Sequence, residues 1–524
     1  MSFINITTNN LSRQLRNAST YADNWVYVPG NTITGDYKKP YAFTSLQEFQ
    51  DACGTRSPEG SKTYEYVAGL LNAGLPVLFR RIAYVGQDNE SFDETDPEVV
   101  GVKKASYTFT HRTSDEQTVN DFKITEKYGG SYGNDININI RSTGTALWID
   151  VYLKYTLLEK KKIATFTTSD NEKTKNEKIM NGLASTPFDR IDIEVLAESA
   201  DKFSMPIQSG IYLIDGADIN NGLVAAEIPA SYSFLKDKIL YQPKFITSGG
   251  YTDTDMSTSA PIATAMKELS LSRQDCRAII DIPIGTPAEE QQSMASAVSY
   301  QQLSNDQAIP SAMILAPWQY MQVGTAQEWM PPSYAYLTVV GDAISKGGKS
   351  YTPKAGITNG LVSNIIKSEF DIGSDLSEKW QADDAVNINP IMRLQSGSYV
   401  IAGNSTLLTK DSDDTELNAF VESSADLTII EIRRFVYNLA TELQYQYNST
   451  DAFETFSIRT AKFLEAMISE GAMTNYDIIN VSSESDPRTL KVQLDVYLTP
   501  TIKRIEILLN VSYGNILVST GGAE

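Results

Sequence analysis

The chain has 524 residues, 41% of them hydrophobic and 21% charged, which supports a packed interior and excludes wholesale disorder. Its 44 basic and 65 acidic residues give a formal charge of -21. A surface that acidic repels nucleic acid phosphates and anionic lipid, so direct nucleic acid binding is not expected; a basic partner surface would suit it, and so would solubility alone.

No apolar run approaches the ~20 residues that span a bilayer, so no membrane insertion is expected. The start, Met1-Ser2-Phe3-Ile4-Asn5, lacks the basic-then-apolar pattern of a secretory signal. Cys53 and Cys276 are far apart and read as small buried hydrophobes in a reducing compartment, not as a disulfide framework. The length exceeds what one core holds, and three or four domains are expected.

Residues 1-24 read as an N-terminal arm. Phe3, Ile4 and Ile6 can form one short strand with no local hairpin partner, so the segment either frays or pairs with another subunit. From Trp25 the pattern is α/β. Trp25-Val26-Tyr27-Val28 reads as a strand, Thr44 to Phe49 as a capped helix start, Tyr64 to Asn72 as a helix stopped by Gly74, and Pro76 to Ala83 as a buried strand. Between residues 91 and 205 short alternating runs take over, such as Ile136 to Ile140, Trp148 to Leu153 and Ile191 to Val195. They predict a β-rich domain inserted into the α/β one, with Glu159-Lys160-Lys161-Lys162 as a solvated turn. The α/β rhythm resumes at Ile211 to Ile214. Strands at Phe245-Ile246, Ala278 to Asp281 and Ala312 to Leu315 then alternate with helices, favouring a parallel sheet. The central α/β domain is thus expected over 25-90 and 206-385.

A C-terminal α+β unit is expected over 386-512. From Leu427, the residues Ile429, Ile432, Val436, Leu439 and Leu443 recur at spacings of three and four, which stacks them on one helix face. A second helix begins near Asp451, with Phe453, Phe456, Phe463, Leu464 and Met467 as its stripe. The period then becomes two. Leu490, Val492, Leu494, Val496 and Leu498 alternate with polar residues, Thr499-Pro500-Thr501 breaks the run, and Ile505, Ile507, Leu509 and Val511 form a second strand. Residues 513-524, with Ile516-Leu517-Val518, read as a second arm.

Chemistry is sparse. His111 is the only histidine and has no cysteine near it in sequence, which argues against a catalytic triad or a zinc site. No phosphate-cradling loop is present. Gly249-Gly250 and Asp281 fall at strand ends, where open α/β sheets bind ligands, but glycine and aspartate also simply end strands. Asp383-Asp384 and Asp413-Asp414 read as solvated acidic turns. No enzyme activity, cofactor or metal is expected. Arg433 and Arg434 follow the first helix stripe and could contact a tube, a neighbouring subunit or an acid of their own domain.

Several segments resemble, in order, the contractile tail sheath proteins of bacteriophages and related injection devices. They are Phe43 to Phe49, the run from Tyr64 through Asn72-Ala73-Gly74 to Arg81-Ile82-Ala83, and Lys127 to Ile136 with its Gly133-Asn134. Ala278 to Pro283, Ala316-Pro317-Trp318, Pro331-Pro332-Ser333, Gly403 to Leu407, Ile432 to Phe435 and Glu470-Gly471-Ala472 follow. The resemblance implies a structural subunit of a virion tail sheath, assembled in the host cytoplasm as stacked hexameric rings around a tail tube protein, with baseplate and tail terminator proteins as further partners. It implies contraction that drives the tube through the host envelope for genome delivery, and arms (Phe3, Ile4, Ile6; Ile516, Leu517, Val518) that add strands to a neighbour's hairpin (Leu490, Val492, Leu494, Val496, Ile505, Ile507, Leu509). A tailocin or secretion-type sheath fits the same residues. An α/β enzyme with a ligand site near Gly249 and Asp281 is the alternative of a different class.

Overall fold

The computed structural model describes residues 24–84, 101–113, 115–301, 308–382, 386–409, 419–445, 447, 450–482 and 489–502. The arms at 1-24 and 513-524 therefore lie outside the described residues, apart from Asn24.

The chain opens with β1 (Val26–Gly30), β2 (Tyr41–Phe43), helices α1 (Leu46–Cys53) and α2 (Thr63–Asn72), and β3 (Val77–Arg81). It then leaves this layer for β4 (Ser106–Arg112), β5 (Thr118–Glu126), β6 (Ile136–Ser142), β7 (Ala146–Leu153), β8 (Thr156–Thr165), α3 (Glu172–Ser185), β9 (Ile191–Val195) and β10 (Ile211–Tyr212). It returns through β11 (Phe245–Ile246), α4 (Pro261–Arg273), β12 (Arg277–Asp281), α5 (Gln291–Val298), β13 (Tyr300–Gln301) and β14 (Ala312–Ala316). A meander of β15 (Gln319–Val323) and β16 (Ala326–Met330) leads into α6 (Pro332–Ser345), followed by β17 (Leu361–Val362), β18 (Ile365–Ser368), β19 (Asn389–Arg393), β20 (Tyr399–Ile401) and β21 (Leu408–Thr409). The chain then runs through α7 (Ser423–Leu443), α8 (Thr450–Ser469), β22 (Met473–Asn480) and β23 (Val492–Leu498).

The central sheet has nine strands in the order β17-β20-β19-β14-β12-β11-β1-β3-β2. Its six inner strands are parallel, and antiparallel pairs close both ends. Every residue of β1, β3, β12 and β14 is buried, because helices cover both faces of a parallel sheet. Alternation sorts the side chains into two cores. Val26, Val28, Val77, Phe79, Ile279, Met313 and Leu315 face α1, α2 and α6. Tyr27, Leu78, Ala278, Ile280 and Ile314 face α4 and α5.

Residues 106–212 form two further sheets, β4-β5-β9 and β10-β6-β7-β8, which share a third core. Ile136, Ile138, Ile140, Ile149 and Val151 point inward there, and Phe109 stacks on Phe122 at 4.5 Å between centroids. Ile211–Tyr212, expected as a strand of the central layer, pairs instead with Ile138 and Asn137 of β6. A four-residue apolar run carries no information about which sheet it joins.

Arg81 fastens this insertion to the central sheet. Fully buried at the end of β3, its guanidinium donates to the carbonyls of Thr32, Gly35, Tyr128 and Gly129 at 2.7–3.1 Å. Gly130 has φ +116°, and a Cβ there would sit 2.3 Å from the Ile33 carbonyl oxygen, so only glycine lets the two backbones approach this closely.

Asn389–Arg393 and Tyr399–Ile401, expected in the C-terminal unit, are strands of the central sheet, which therefore runs past the boundary expected at 386. The C-terminal helices are not a separate layer either. Leu427, Ile430, Ile432, Leu464 and Met467 belong to the same core as α1, α2 and α6.

Candidate assembly surface

Helix α7 forms where the sequence predicts it. Ile432 and Leu439 are buried, and Ile429, Val436 and Leu443 are half-buried. In α8, Phe456, Leu464 and Met467 are buried, while Phe463 stacks on Phe435 of α7 with centroids 4.1 Å apart. The chain turns at Gly471 (φ +79°) into an antiparallel ribbon of β22 and β23.

The expected strand around Val492, Leu494 and Val496 is present, with Leu490 just before it. Its observed partner is Met473–Asn480, a strand the sequence reading missed. The expected partner, with Ile505, Ile507 and Leu509, lies outside the described residues. Tyr476 faces Val496 and Ile478 faces Leu494, and these residues pack toward the helices. The other face carries Asp477 opposite Asp495, with Ile479 and Tyr497 exposed by 44% and 51%. Among the described residues the ribbon pairs with no third strand.

Two buried ion pairs hold α7 against the central sheet. Arg277, the first residue of β12, donates to Asp426 at 2.5 Å and to the hydroxyl and carbonyl of Ser423 at 2.6 and 2.7 Å. Asp426 also accepts from the Ser311 hydroxyl. Lys244, just before β11, pairs with Glu431 and donates to Ser350 Oγ at 2.9 Å.

The predicted contact residues Arg433 and Arg434 sit beside these pairs. Arg434 is buried and donates to the carbonyls of Gln242, Pro243 and Asp275 at 2.9–3.3 Å. Half-buried Arg433 donates to Gln274 Oε1 at 3.0 Å and lies over the Phe420 ring. Both reach the C-terminal end of α4, where unpaired carbonyls and the helix dipole favour cations. They serve as internal fasteners.

The strand ends named for a ligand are filled by structure. Asp281 is buried and caps α6: Ser333 donates to it from its backbone N–H at 2.8 Å and its hydroxyl at 2.6 Å. The Ser333 hydroxyl in turn meets Tyr66 Oη at 2.9 Å. Burial raises the Asp281 carboxyl to about 7 despite those hydrogen bonds. At Gly249 a Cβ would lie 2.2 Å from the Pro29 carbonyl oxygen, so the backbone there is packed tight. Cys53 and Cys276 are buried free thiols, both pushed up to about 12 by burial. Among the described residues no group of His, Cys, Asp or Glu is placed to hold a metal ion, and no helix is long and apolar enough to cross a membrane.

No family model matches the chain, and no curated protein matches it in sequence. Solved structures do. A sheath tail protein from Listeria innocua superposes with a TM-score of 0.62 at 13% identity, covering 94% of this chain and 96% of that one. A sheath tail protein from Desulfitobacterium hafniense gives a TM-score of 0.56 at 12% identity, covering 95% and 96%. The chain has the sheath tail fold. The likeness extends over almost the whole of both chains, so the sheath tail fold here includes both the nine-stranded sheet and residues that leave it. Both matched proteins are named for a place in a tail and neither for a reaction.

Proposed function

We propose that this protein is the structural subunit of a contractile tail sheath. It polymerises as stacked hexameric rings around a tail tube, engages baseplate and terminator proteins at the two ends, and contracts to drive the tube through a host envelope. It is not a catalyst. The observation that carries this reading is the likeness of fold to sheath tail proteins over 94% of the chain. The capped, buried state of Asp281 supports it against a ligand-binding enzyme.

In this reading the β22–β23 ribbon is the joint between subunits. Arms from neighbouring copies, carrying Phe3, Ile4 and Ile6 or Ile516, Leu517 and Val518, extend it together with residues 505–511. Main-chain hydrogen bonds at a strand edge persist while the bodies rotate, because they hold a linker and not a fixed face.

Negative-stain microscopy of the purified protein tests the assignment. Long hollow cylinders are expected; small particles at every concentration and salt would overturn it. Removal of residues 1-20 tests the joint separately, with a folded protein that no longer forms cylinders as the expected result.

A further inference from the structure

The sheet β10-β6-β7-β8 has one face on the insertion's core and the other in solvent. The inner face carries Ile136, Ile138, Ile140, Ile149 and Val151. Strand register then fixes what the outer face presents. One row across the sheet is Arg141, Trp148 and Lys162; the next is Asn139, Asp150 and Lys160; the third runs Tyr212, Asn137, Tyr152 and Leu157.

This face is unlike the rest of an acidic chain. Lys160 and Lys162 form no ion pair among the described residues, although the chain carries a formal charge of -21. Arg141 is held in place: its Nε donates to Asp150 Oδ2 at 2.6 Å, and its guanidinium lies 5.3 Å from the centroid of Trp148. Lys160 Nζ lies 5.4 Å from the same ring. Asp150 is buried and paired with Arg141, so the surplus charge of this face is the positive charge of Lys160 and Lys162, with the Arg141 guanidinium held beside them. Tyr212 is 44% exposed, Leu157 47%, and Tyr155 in the β7–β8 turn 94%. Lysines on an edge strand are often there only to block pairing. That role does not explain an arginine preset by a carboxylate on the neighbouring strand, nor aromatic side chains left in water further along the same sheet.

We propose that the outer face of this sheet binds an acidic polysaccharide, its anionic groups on Arg141, Lys160 and Lys162 and its sugar rings along Tyr152, Tyr155 and Tyr212. Strand geometry sets the Cα atoms of the three cations roughly 7–12 Å apart, a spacing suited to a polymer with one charge every one or two rings. Single-stranded nucleic acid shares the anionic chemistry, and the oligonucleotide arm below separates the two. The inference does not depend on the sheath reading.

Affinity electrophoresis of the full chain through gels containing polygalacturonate or neutral dextran tests it. Retardation by polygalacturonate and not by dextran is expected, falling about tenfold in the double variant Lys160→Gln/Lys162→Gln, where two counterion-releasing contacts are lost. Trp148→Leu reports separately on the preset arginine, with weaker binding expected. Both lysines are exposed, so the double variant should keep its thermal midpoint. Equal retardation of wild type and double variant, equal retardation by dextran, or tighter binding of a thymidine oligonucleotide would each overturn the proposal.

Discussion

Arg277 of β12 and Asp426 of α7, 149 residues apart in the chain, meet at 2.5 Å in the interior, and neither side chain is more than 5% exposed. A buried pair of this kind adds little over a well-packed apolar pair, but losing one partner strands the other charge. Asp426→Ala should therefore cost about 3–5 kcal/mol in urea unfolding, while Arg277→Met/Asp426→Leu should recover most of that loss. A double variant as unstable as the single one would mean that the Ser311 and Ser423 contacts, not the charge pair, dominate.

Asp281 should make stability depend on pH. Its folded-state value of about 7 lies above the roughly 3.9 of an unfolded aspartate. The folded protein therefore holds a proton that the unfolded chain releases between those values. This contribution is fully present below about 4 and is lost as pH rises through about 7. Asp281→Asn, which cannot ionise, should flatten the fall in urea midpoint between pH 5 and pH 8.

At the root of the insertion, Arg81→Lys should not restore the wild-type midpoint. A point-charge ammonium cannot reach four carbonyls that a planar guanidinium satisfies together. Gly130→Ala should lower stability by about 1–3 kcal/mol, from positive φ and the Ile33 clash combined. Thermal unfolding measures both.

Arg434 and Tyr497 should separate stability from assembly. Arg434→Ala should lower the unfolding free energy by about 2 kcal/mol, because three buried carbonyls lose a charged donor. Tyr497→Asp, on the open face of the ribbon, should stay within about 0.5 kcal/mol of wild type but reduce the yield of cylinders under the microscope.

Much of the fold could be read from residue periodicity. The spacing of Ile432, Leu439, Leu464 and Met467 placed both C-terminal helices, and the alternation from Ile136 to Ile140 marked a sheet with one wet face. Strand partners were less legible. Met473–Asn480 was missed because the register slips between Met473 and Asn475, which breaks the period of two. The roles of Arg433 and Arg434 followed from tertiary packing against the end of α4, which local sequence does not encode. A signal was available for the buried pairs: Asp426 and Glu431 interrupt the apolar run from Ala425 to Ile432, and Arg277 and Asp281 bracket the apolar centre of β12. Charges so placed need partners inside.

Because α7 and α8 close the same core as α1, α2 and α6, the molecule has a poor place to be cut near residue 386. A fragment ending at 409 would leave Arg277 and Lys244 facing water beside an uncovered apolar layer, and should come out of the cell as inclusion bodies. Anyone wishing to dissect the chain would do better to excise residues 104–216 and join the flanking segments, since Lys103 and Ala217 already lie side by side as a β-bridge.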